Sequence, residues 1–128
     1  MMGPFRVALS GDFRKADGSA TFPDFDLAPL REAKNVEMVF LDNASPIRGD
    51  QLEDFDALIL LAHRFDATSV PKSGRLAVVA RFGVGYDTVD VEACTRANVL
   101  AMIAAGAVDR PVAEATIAWM LALTHHVL

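Results

Sequence analysis

Five short apolar runs alternate with polar and helix-like segments along this chain. The runs cover residues 5–10, 36–41, 57–62, 76–80 and 99–103. Every position of residues 57–62 is apolar, which is typical of a central parallel strand covered on both faces. Strands that alternate with helical segments indicate a parallel sheet with helices packed against it.

Three segments between the runs have helical patterns. Residues 27–34 predict a short helix, and residues 49–55 predict a helical turn. Residues 90–98 predict a helix that Asp90 caps and that ends near Asn98. The whole pattern predicts an α/β fold of the flavodoxin-like type, with about five parallel strands and helices on both faces. A C-terminal helix follows the last strand.

The last part of the chain is nearly free of charge. Residues 99–128 carry three charged side chains, whereas the rest of the chain carries 26. Pro111 suits the first turn of a helix, with Asp109 available as its cap and Glu114 near the positive end of the helix dipole. The helical pattern then continues to Leu128.

This terminal helix has apolar side chains around its whole circumference. Residues 117–123 have no polar group except the indole of Trp119. Such a helix needs to be buried on every side. It either lies across a face of its own domain or, as we favour, is cut short and has partners beyond residue 128. We expect the isolated chain to self-associate through residues 112–128, most simply as a two-fold homodimer.

Composition and charge exclude several classes of partner. The chain has 128 residues, a net charge of −5 and one cysteine, Cys94. A net acidic chain argues against a nucleic-acid partner, and its apolar runs are too short to span a membrane. The N-terminus has no signal-peptide pattern, and a single cysteine forms no internal disulfide. We therefore expect a cytoplasmic location.

Ligands of an open parallel sheet bind where the strands end, and the turn after the fourth run is the most informative of these ends. There Gly83 and Gly85 flank Val84, and successive N–H groups in such a turn can form an anion-binding concavity. Because glycines allow unusual backbone conformations, we expect a β-branched residue at position 85 to disrupt it. An ordinary turn is the alternative interpretation. A dinucleotide fingerprint needs a third glycine where Thr88 stands.

Two other ligand classes of this fold fail at specific positions. A phosphoacceptor receiver domain needs an acidic group after the first strand, an aspartate after the third and a lysine after the fifth. Asp12 fits the first role, but positions 62–63 and 104–105 lack the other two. Residues 10–13 lack the hydroxyl-rich phosphate loop of a flavodoxin.

Two longer stretches carry a family resemblance. Residues 79–94 read VARFGVGYDTVDVEAC, and residues 110–123 read RPVAEATIAWMLAL. Both resemble the D-isomer-specific 2-hydroxyacid dehydrogenases, including their 3-phosphoglycerate dehydrogenase-like branch, and residues 56–59 fit the strand that precedes them. The resemblance is strong over residues 56–128 and extends over residues 5–55.

The resemblance implies an oxidoreductase built from two domains. Residues 1–108 would form the flavodoxin-like substrate domain, and residues 109–128 would begin the crossover helix to a Rossmann domain outside this chain. That domain would bind NAD or NADP, and hydride would pass between the nicotinamide and C2 of a small 2-hydroxy or 2-oxo acid. No cofactor is expected to bind to the present chain.

The resemblance also implies where the substrate carboxylate binds. In the family, backbone N–H groups of this turn hold the carboxylate, and the matching positions are Val84 and Gly85. Arg81 and Arg64 are the nearby cations expected to support them, with a structural or solvated ion pair as the alternative role for each.

We expect no catalytic, cofactor-binding or metal-binding residue in this chain. The family's catalytic arginine, glutamate and acid–base histidine lie downstream of the crossover helix, and His63, His125 and His126 do not match that histidine. His63 is expected to be an ordinary surface or hydrogen-bonded histidine. The isolated chain is therefore expected to be inactive. A free-standing flavodoxin-like binding or regulatory module, without enzymatic activity, is the alternative function.

Overall fold

A parallel sheet organises residues 3–127, which are the part of the chain that this computed structural model describes. The five strands are β1 (Phe5–Leu9), β2 (Val36–Phe40), β3 (Ala57–Leu60), β4 (Val78–Arg81) and β5 (Leu100–Ile103). Their order is β2-β1-β3-β4-β5, and every neighbouring pair is parallel. This is the flavodoxin-like order, so the predicted α/β fold and its strand number are confirmed.

Alternate side chains of the central strands build two cores, one on each face of the sheet. Leu58 and Leu60 of β3 belong to the first core, together with Phe65 and Cys94. The second core contains Val7 and Leu9 of β1 and Ala57 of β3. Phe13 and Leu27 from the loops complete it. Burying each of the larger side chains stabilises the fold by roughly 1.5–3 kcal/mol, so these strands hold the domain together.

Two short helices pack on opposite faces of the sheet, as predicted, and a third, longer helix is exposed. The helices are α1 (Ala28–Arg31), α2 (Val91–Arg96) and α3 (Asp109–Thr124), and 3₁₀ turns lie at Gly11–Phe13, Gly49–Leu52 and Ala67–Ser69. Helix α1 is shorter than the predicted residues 27–34. A turn at residues 34–35 leads into β2, and there the carbonyl of Asn35 accepts the N–H of Phe5 at 2.8 Å. Asp90 caps α2 as predicted, because its Oδ1 accepts the N–H of Ala93 at 2.8 Å.

Helix α3 and strand β5 are exposed. All four residues of β5 are exposed, and α3 is exposed along its length except for the half-buried Ala122. The side chain of Trp119 keeps 70% of its surface in solvent. The interpretation that this helix lies across a face of its own domain is therefore wrong.

Both ends of α3 differ in detail from the sequence prediction. The helix begins at Asp109 itself, so Val108 stands at the cap position and Asp109 is not the cap. Glu114 instead pairs with Arg110, one turn earlier on the same helix, at 2.6 Å. The helix ends at Thr124, and the predicted end, Leu128, lies outside the described residues.

A carboxylate at the amino edge of the sheet joins three strands. Oδ2 of Asp56 accepts the backbone N–H of Arg6 at 2.7 Å, and the guanidinium of Arg75 donates to both carboxylate oxygens at 2.9 Å. The carbonyl of Asp56 accepts the N–H of Ala77 at 2.8 Å, just before β4. The hydrogen bond from Arg75, aided by the N–H of Arg6, holds the pKa of Asp56 below its usual value.

This network predicts a pH-dependent loss of stability. Asp56→Asn should lower the free energy of unfolding at pH 7, because the folded state favours the ionised carboxylate. Because the pKa of Asp56 is lower in the folded state, its ionised carboxylate stabilises the fold at pH values above the unfolded pKa of about 3.9. This stabilisation falls as the pH drops below about 3.9 and is lost once the pH passes below the folded-state pKa. The difference between wild type and variant should therefore shrink at pH 3, as measured by urea unfolding followed by circular dichroism.

The matched control is Asp54→Asn. Asp54 is an exposed neighbour whose Oδ2 lies 3.8 Å from Nη1 of Arg6. It should change stability little at either pH, because exposed pairs contribute about 0–1 kcal/mol. An equal loss for Asp56→Asn at both pH values would contradict the role assigned to its charge.

Candidate functional site

The loops after β1, β3 and β4 meet at the carboxyl edge of the sheet. Leu9 pairs with Ile59, and Leu60 pairs with Arg81, so the three strands end at nearly the same level. The chain passes from β1 to β2 on one side, while β3 and β4 lie on the other. Ligands of open parallel sheets bind in the crevice at such a switch point.

The turn after β4 leaves two neighbouring backbone donors free. The carbonyl of Gly83 accepts the N–H of Ala104 at 2.9 Å, which fixes the start of the turn against the end of β5. Within residues 3–127, no acceptor pairs with the N–H of Val84 or of Gly85. Val84 is half-buried and Gly85 is exposed. Adjacent free donors of this kind are what an anion-binding concavity requires.

The two glycines of this turn have different roles. Gly83 has a φ of +143°, and a Cβ there would overlap the guanidinium of Arg81. A Cβ on Gly85 would meet only Oδ2 of Asp87, at 4.0 Å, and Gly85 is not among the glycines with positive φ. The expectation that Gly85 supplies a special backbone conformation is therefore wrong, because the requirement falls on Gly83.

Arg81 and Arg64 have different surroundings. The Arg81 guanidinium folds over Gly83 and donates from Nη1 to the carbonyl of Phe82, which brings its charge to the turn. The side chain of Arg64 keeps 69% of its surface in solvent, and its Nε lies 3.8 Å from Oδ2 of Asp66. The structure thus brings the Arg81 guanidinium to Phe82 and Gly83 at the start of the turn, and leaves Arg64 in an exposed ion pair.

Asp12 and His63 form a close pair that the sequence analysis did not select. Oδ2 of Asp12 accepts the backbone N–H groups of Ala62 and His63, at 2.8 and 3.0 Å. Its Oδ1 lies 3.8 Å from Nδ1 of His63, and neither of these two atoms has a hydrogen-bond partner although both are buried. A buried polar atom without a partner costs about 1–3 kcal/mol, so this arrangement needs an explanation.

A sequence signal for this pair does exist. Asp12 and His63 follow the ends of β1 and β3 by the same short interval, and these are neighbouring strands. The equal intervals bring the two side chains together only because β1 pairs with β3, and hydrophobic periodicity does not predict that pairing.

An aromatic cluster fixes the long loop after β1 beside the turn. Phe25 stacks on Phe13 with a centroid distance of 5.0 Å, and Phe82 lies 4.6 Å from Phe25 and 5.6 Å from Phe13. Such pairs contribute about 0.5–1.5 kcal/mol each beyond the area they bury. The loop after β1 therefore packs its aromatic side chains against Phe82, directly before the Gly83 turn.

Residues 3–127 contain neither a dinucleotide fingerprint nor a cluster of metal-binding side chains. The turn at Gly83 has Thr88 where the dinucleotide fingerprint needs its third glycine, and residues 3–127 contain no other such sequence. The same residues bring together no group of three or more metal-binding side chains. Among them, no helix is long and apolar enough to cross a membrane.

Comparison with known families gives one match over most of the chain. Residues 20–127 match the family described as D-isomer specific 2-hydroxyacid dehydrogenase, catalytic domain. A glyoxylate reductase of Thermococcus onnurineus is 35% identical over 105 residues, which are 79% of this chain and 30% of that protein. A glyoxylate reductase of Pyrococcus furiosus is 32% identical over 80 residues, covering 62% of this chain and 24% of that protein.

Solved structures share the fold. A 3-phosphoglycerate dehydrogenase of Entamoeba histolytica superposes with a TM-score of 0.73 at 19% identity, over 94% of this chain and 39% of that one. The pyruvate reductase of Chlamydomonas reinhardtii superposes with a TM-score of 0.71 at 20% identity, over 98% of this chain and 36% of that one.

The present chain thus spans about a quarter to a third of the length of these two curated relatives. The family match, the order of the strands and the glycine turn after β4 agree with one another. The chain therefore belongs to the D-isomer specific 2-hydroxyacid dehydrogenases and corresponds to their catalytic domain.

Proposed function

We propose that this chain is the substrate-binding part of an NAD(P)-dependent oxidoreductase that acts on the CH–OH group of a D-2-hydroxy acid. Residues 1–108 form the substrate domain, and residues 109–128 begin a crossover helix toward a Rossmann domain supplied from outside these residues. The observation that carries the proposal is the pair of free N–H groups at Val84 and Gly85, with the charge of Arg81 beside them.

The binding step is a matter of backbone donors and one cation. The N–H groups of Val84 and Gly85 donate to the carboxylate of the acid, and the guanidinium of Arg81 adds positive charge. A chain with a net charge of −5 needs such a local concentration of positive potential to hold an anion. Arg64, already paired with Asp66, contributes less. Holding the carboxylate fixes the position of C2 next to it.

The cofactor in this proposal is NAD or NADP, which exchanges hydride with C2. Residues 3–127 hold no dinucleotide fingerprint, so we assign no residue of this chain to the nucleotide. One similar solved structure, that of Entamoeba histolytica, is described as NAD+-bound. The curated relatives are glyoxylate reductases, which makes glyoxylate the first 2-oxo acid to test. Family membership does not favour the alternative, a free-standing binding module.

The proposal includes a cytoplasmic homodimer formed through residues 112–128. Apolar side chains of α3 lie in solvent, and Trp119, Leu121 and Leu123 each expose more than half of their surface. A separate apolar groove of about 260 Å³ opens at the edge strand β5, lined by Tyr86, Val89, Val91 and residues 101–103. Covering each large apolar side chain in an interface stabilises it by roughly 1.5–3 kcal/mol, so several together favour association. The two subunits can form this interface by exchanging their α3 helices.

One prediction of this proposed function concerns turnover by the chain alone. The purified 128-residue chain should neither reduce glyoxylate with NADH or NADPH nor oxidise glycolate with NAD+ or NADP+. The reason is that its residues provide no nucleotide site and no assigned acid–base histidine. The measurement is absorbance at the nicotinamide band, with a full-length glyoxylate reductase as the positive control. Turnover that persists at constant specific activity through further purification would overturn this expectation.

A second prediction tests the carboxylate site. Titration of labelled chain with glyoxylate should move the backbone amide resonances of Val84 and Gly85 before others. Arg81→Ala should weaken this binding about two- to tenfold, the range that one modest hydrogen bond or partly exposed charge contributes. Arg64→Ala should weaken it less.

The matched control is Arg96→Ala, which removes an exposed arginine of α2 paired with Glu92 at 3.6 Å. It should leave glyoxylate binding unchanged. If the three arginine variants weaken binding equally, the effect is one of net charge and the site at Val84 and Gly85 is refuted.

A third prediction concerns assembly. Sedimentation equilibrium of the chain at micromolar concentration should show a dimer, and Trp119→Glu or Leu123→Glu should shift it to monomer. A charge in an apolar interface leaves an unpaired ion out of water, which disfavours association. Glu92→Gln, on the exposed side of α2 and outside residues 112–128, is the control and should stay dimeric. A monomeric wild type would count against the interface.

A further inference from the structure

Asp12 and His63 follow β1 and β3, the two neighbouring strands at the topological switch of the sheet. Leu9 pairs with Ile59 and Leu60 with Arg81, so His63 and Val84 each lie three residues beyond a paired position on neighbouring strands. Neighbouring strands are about 4.8 Å apart. The register therefore places the start of the loop after β3, which carries His63, beside the start of the turn after β4, on the side of the topological switch.

The two oxygens of Asp12 have separate roles. Oδ2 accepts the N–H groups of Ala62 and His63, which holds the carboxylate in place. Oδ1 has no partner and faces Nδ1 of the His63 ring at 3.8 Å. A shift of about 1 Å brings this contact into hydrogen-bonding range. The two side chains keep only 17% and 13% of their surface in solvent, so the carboxylate and the ring are held beside each other.

A hydrogen bond between these two atoms would select one tautomer of the neutral ring. When Nδ1 carries the proton and donates to Oδ1 of Asp12, the lone pair of Nε2 is left as an acceptor. Nε2 of His63 is not fully buried, and no protein group within residues 3–127 forms a hydrogen bond with it. It is therefore accessible to a ligand. A carboxylate that orients a histidine in this way is a common device for presenting the other ring nitrogen.

We propose that His63 is a specificity-determining residue, which accepts a hydrogen bond at Nε2 from a hydroxyl group on C3 of the acid, and that Asp12 is its positioning residue. This inference rests on the proposed function, because the carboxylate must occupy the N–H groups of Val84 and Gly85 for C3 to lie toward β3. A C3 methyl group leaves Nε2 without its partner, so the site favours the hydroxylated acid.

The test compares two acids that differ only at C3. Labelled wild-type chain is titrated with hydroxypyruvate and with pyruvate, and the amide shifts of Val84 and Gly85 report both dissociation constants. Hydroxypyruvate should bind about three- to tenfold more tightly, the range expected of one neutral hydrogen bond. His63→Leu should abolish this preference while pyruvate binds as before. His63→Gln, which keeps a polar group near Nε2, should restore part of it.

His125→Leu is the matched control, because His125 is an exposed histidine just after α3. It should keep the full preference for hydroxypyruvate. If neither acid moves the amides of Val84 and Gly85, the proposed function itself fails. If both acids move them with equal affinity, or if His63→Leu keeps the preference, the carboxylate site stands and the role of His63 is overturned.

The role of Asp12 has its own readout in the nitrogen spectrum of the ring. At alkaline pH, the ¹⁵N shifts of His63 should show a protonated Nδ1 and an unprotonated Nε2. Asp12→Asn should shift the ring toward the Nε2–H tautomer and reduce the preference for hydroxypyruvate. A merely structural Asp12 would leave the tautomer unchanged in a folded Asp12→Asn chain, and that result would refute the positioning role.

Discussion

The packing of β1 against β3 is the contact on which the rest of the structure depends. Ala8, Leu9, Leu58 and Leu60 are completely buried, and they supply both cores from the two central strands. A slip of one residue between these strands would exchange the side chains of the two faces, so their register is strongly specified. The buried hydroxyl of Ser10 adds to this by accepting the N–H of Leu61 at 2.9 Å.

The two edges of the sheet divide stability from binding. At the amino edge, the carboxylate of Asp56 is fully engaged by backbone and guanidinium donors, which makes it a structural group. At the carboxyl edge, polar groups are left over: two N–H groups in the turn after β4, and facing atoms of Asp12 and His63. Unpaired polar groups at the mouth of a parallel sheet are the feature that distinguishes a binding edge from a structural one.

Helix α3 and strand β5 are the parts of the domain that its own two cores do not cover. The apolar character of this helix was plain in the sequence, and it predicted a helix that needs to be buried on every side. The expectation that the helix is buried was not met within residues 3–127, because no strand or helix of the domain packs along it. The pattern of apolar residues indicates that the surface of α3 needs to be covered, but it does not indicate which molecule covers it.

The sequence by itself determined the five strands, the cap of α2 and the glycine turn, because each of these depends on neighbours within a few residues. The alternation of strands with helices along the whole chain also indicated a parallel sheet. Tertiary structure decided which glycine is constrained: Gly83 carries the positive φ of +143°, and its carbonyl accepts the N–H of Ala104 just after β5. It also decided that Arg81 approaches the turn while Arg64 pairs with Asp66. The pairing of Asp12 with His63 spans 51 residues and exists only because β1 lies beside β3, a relation that local pattern does not encode.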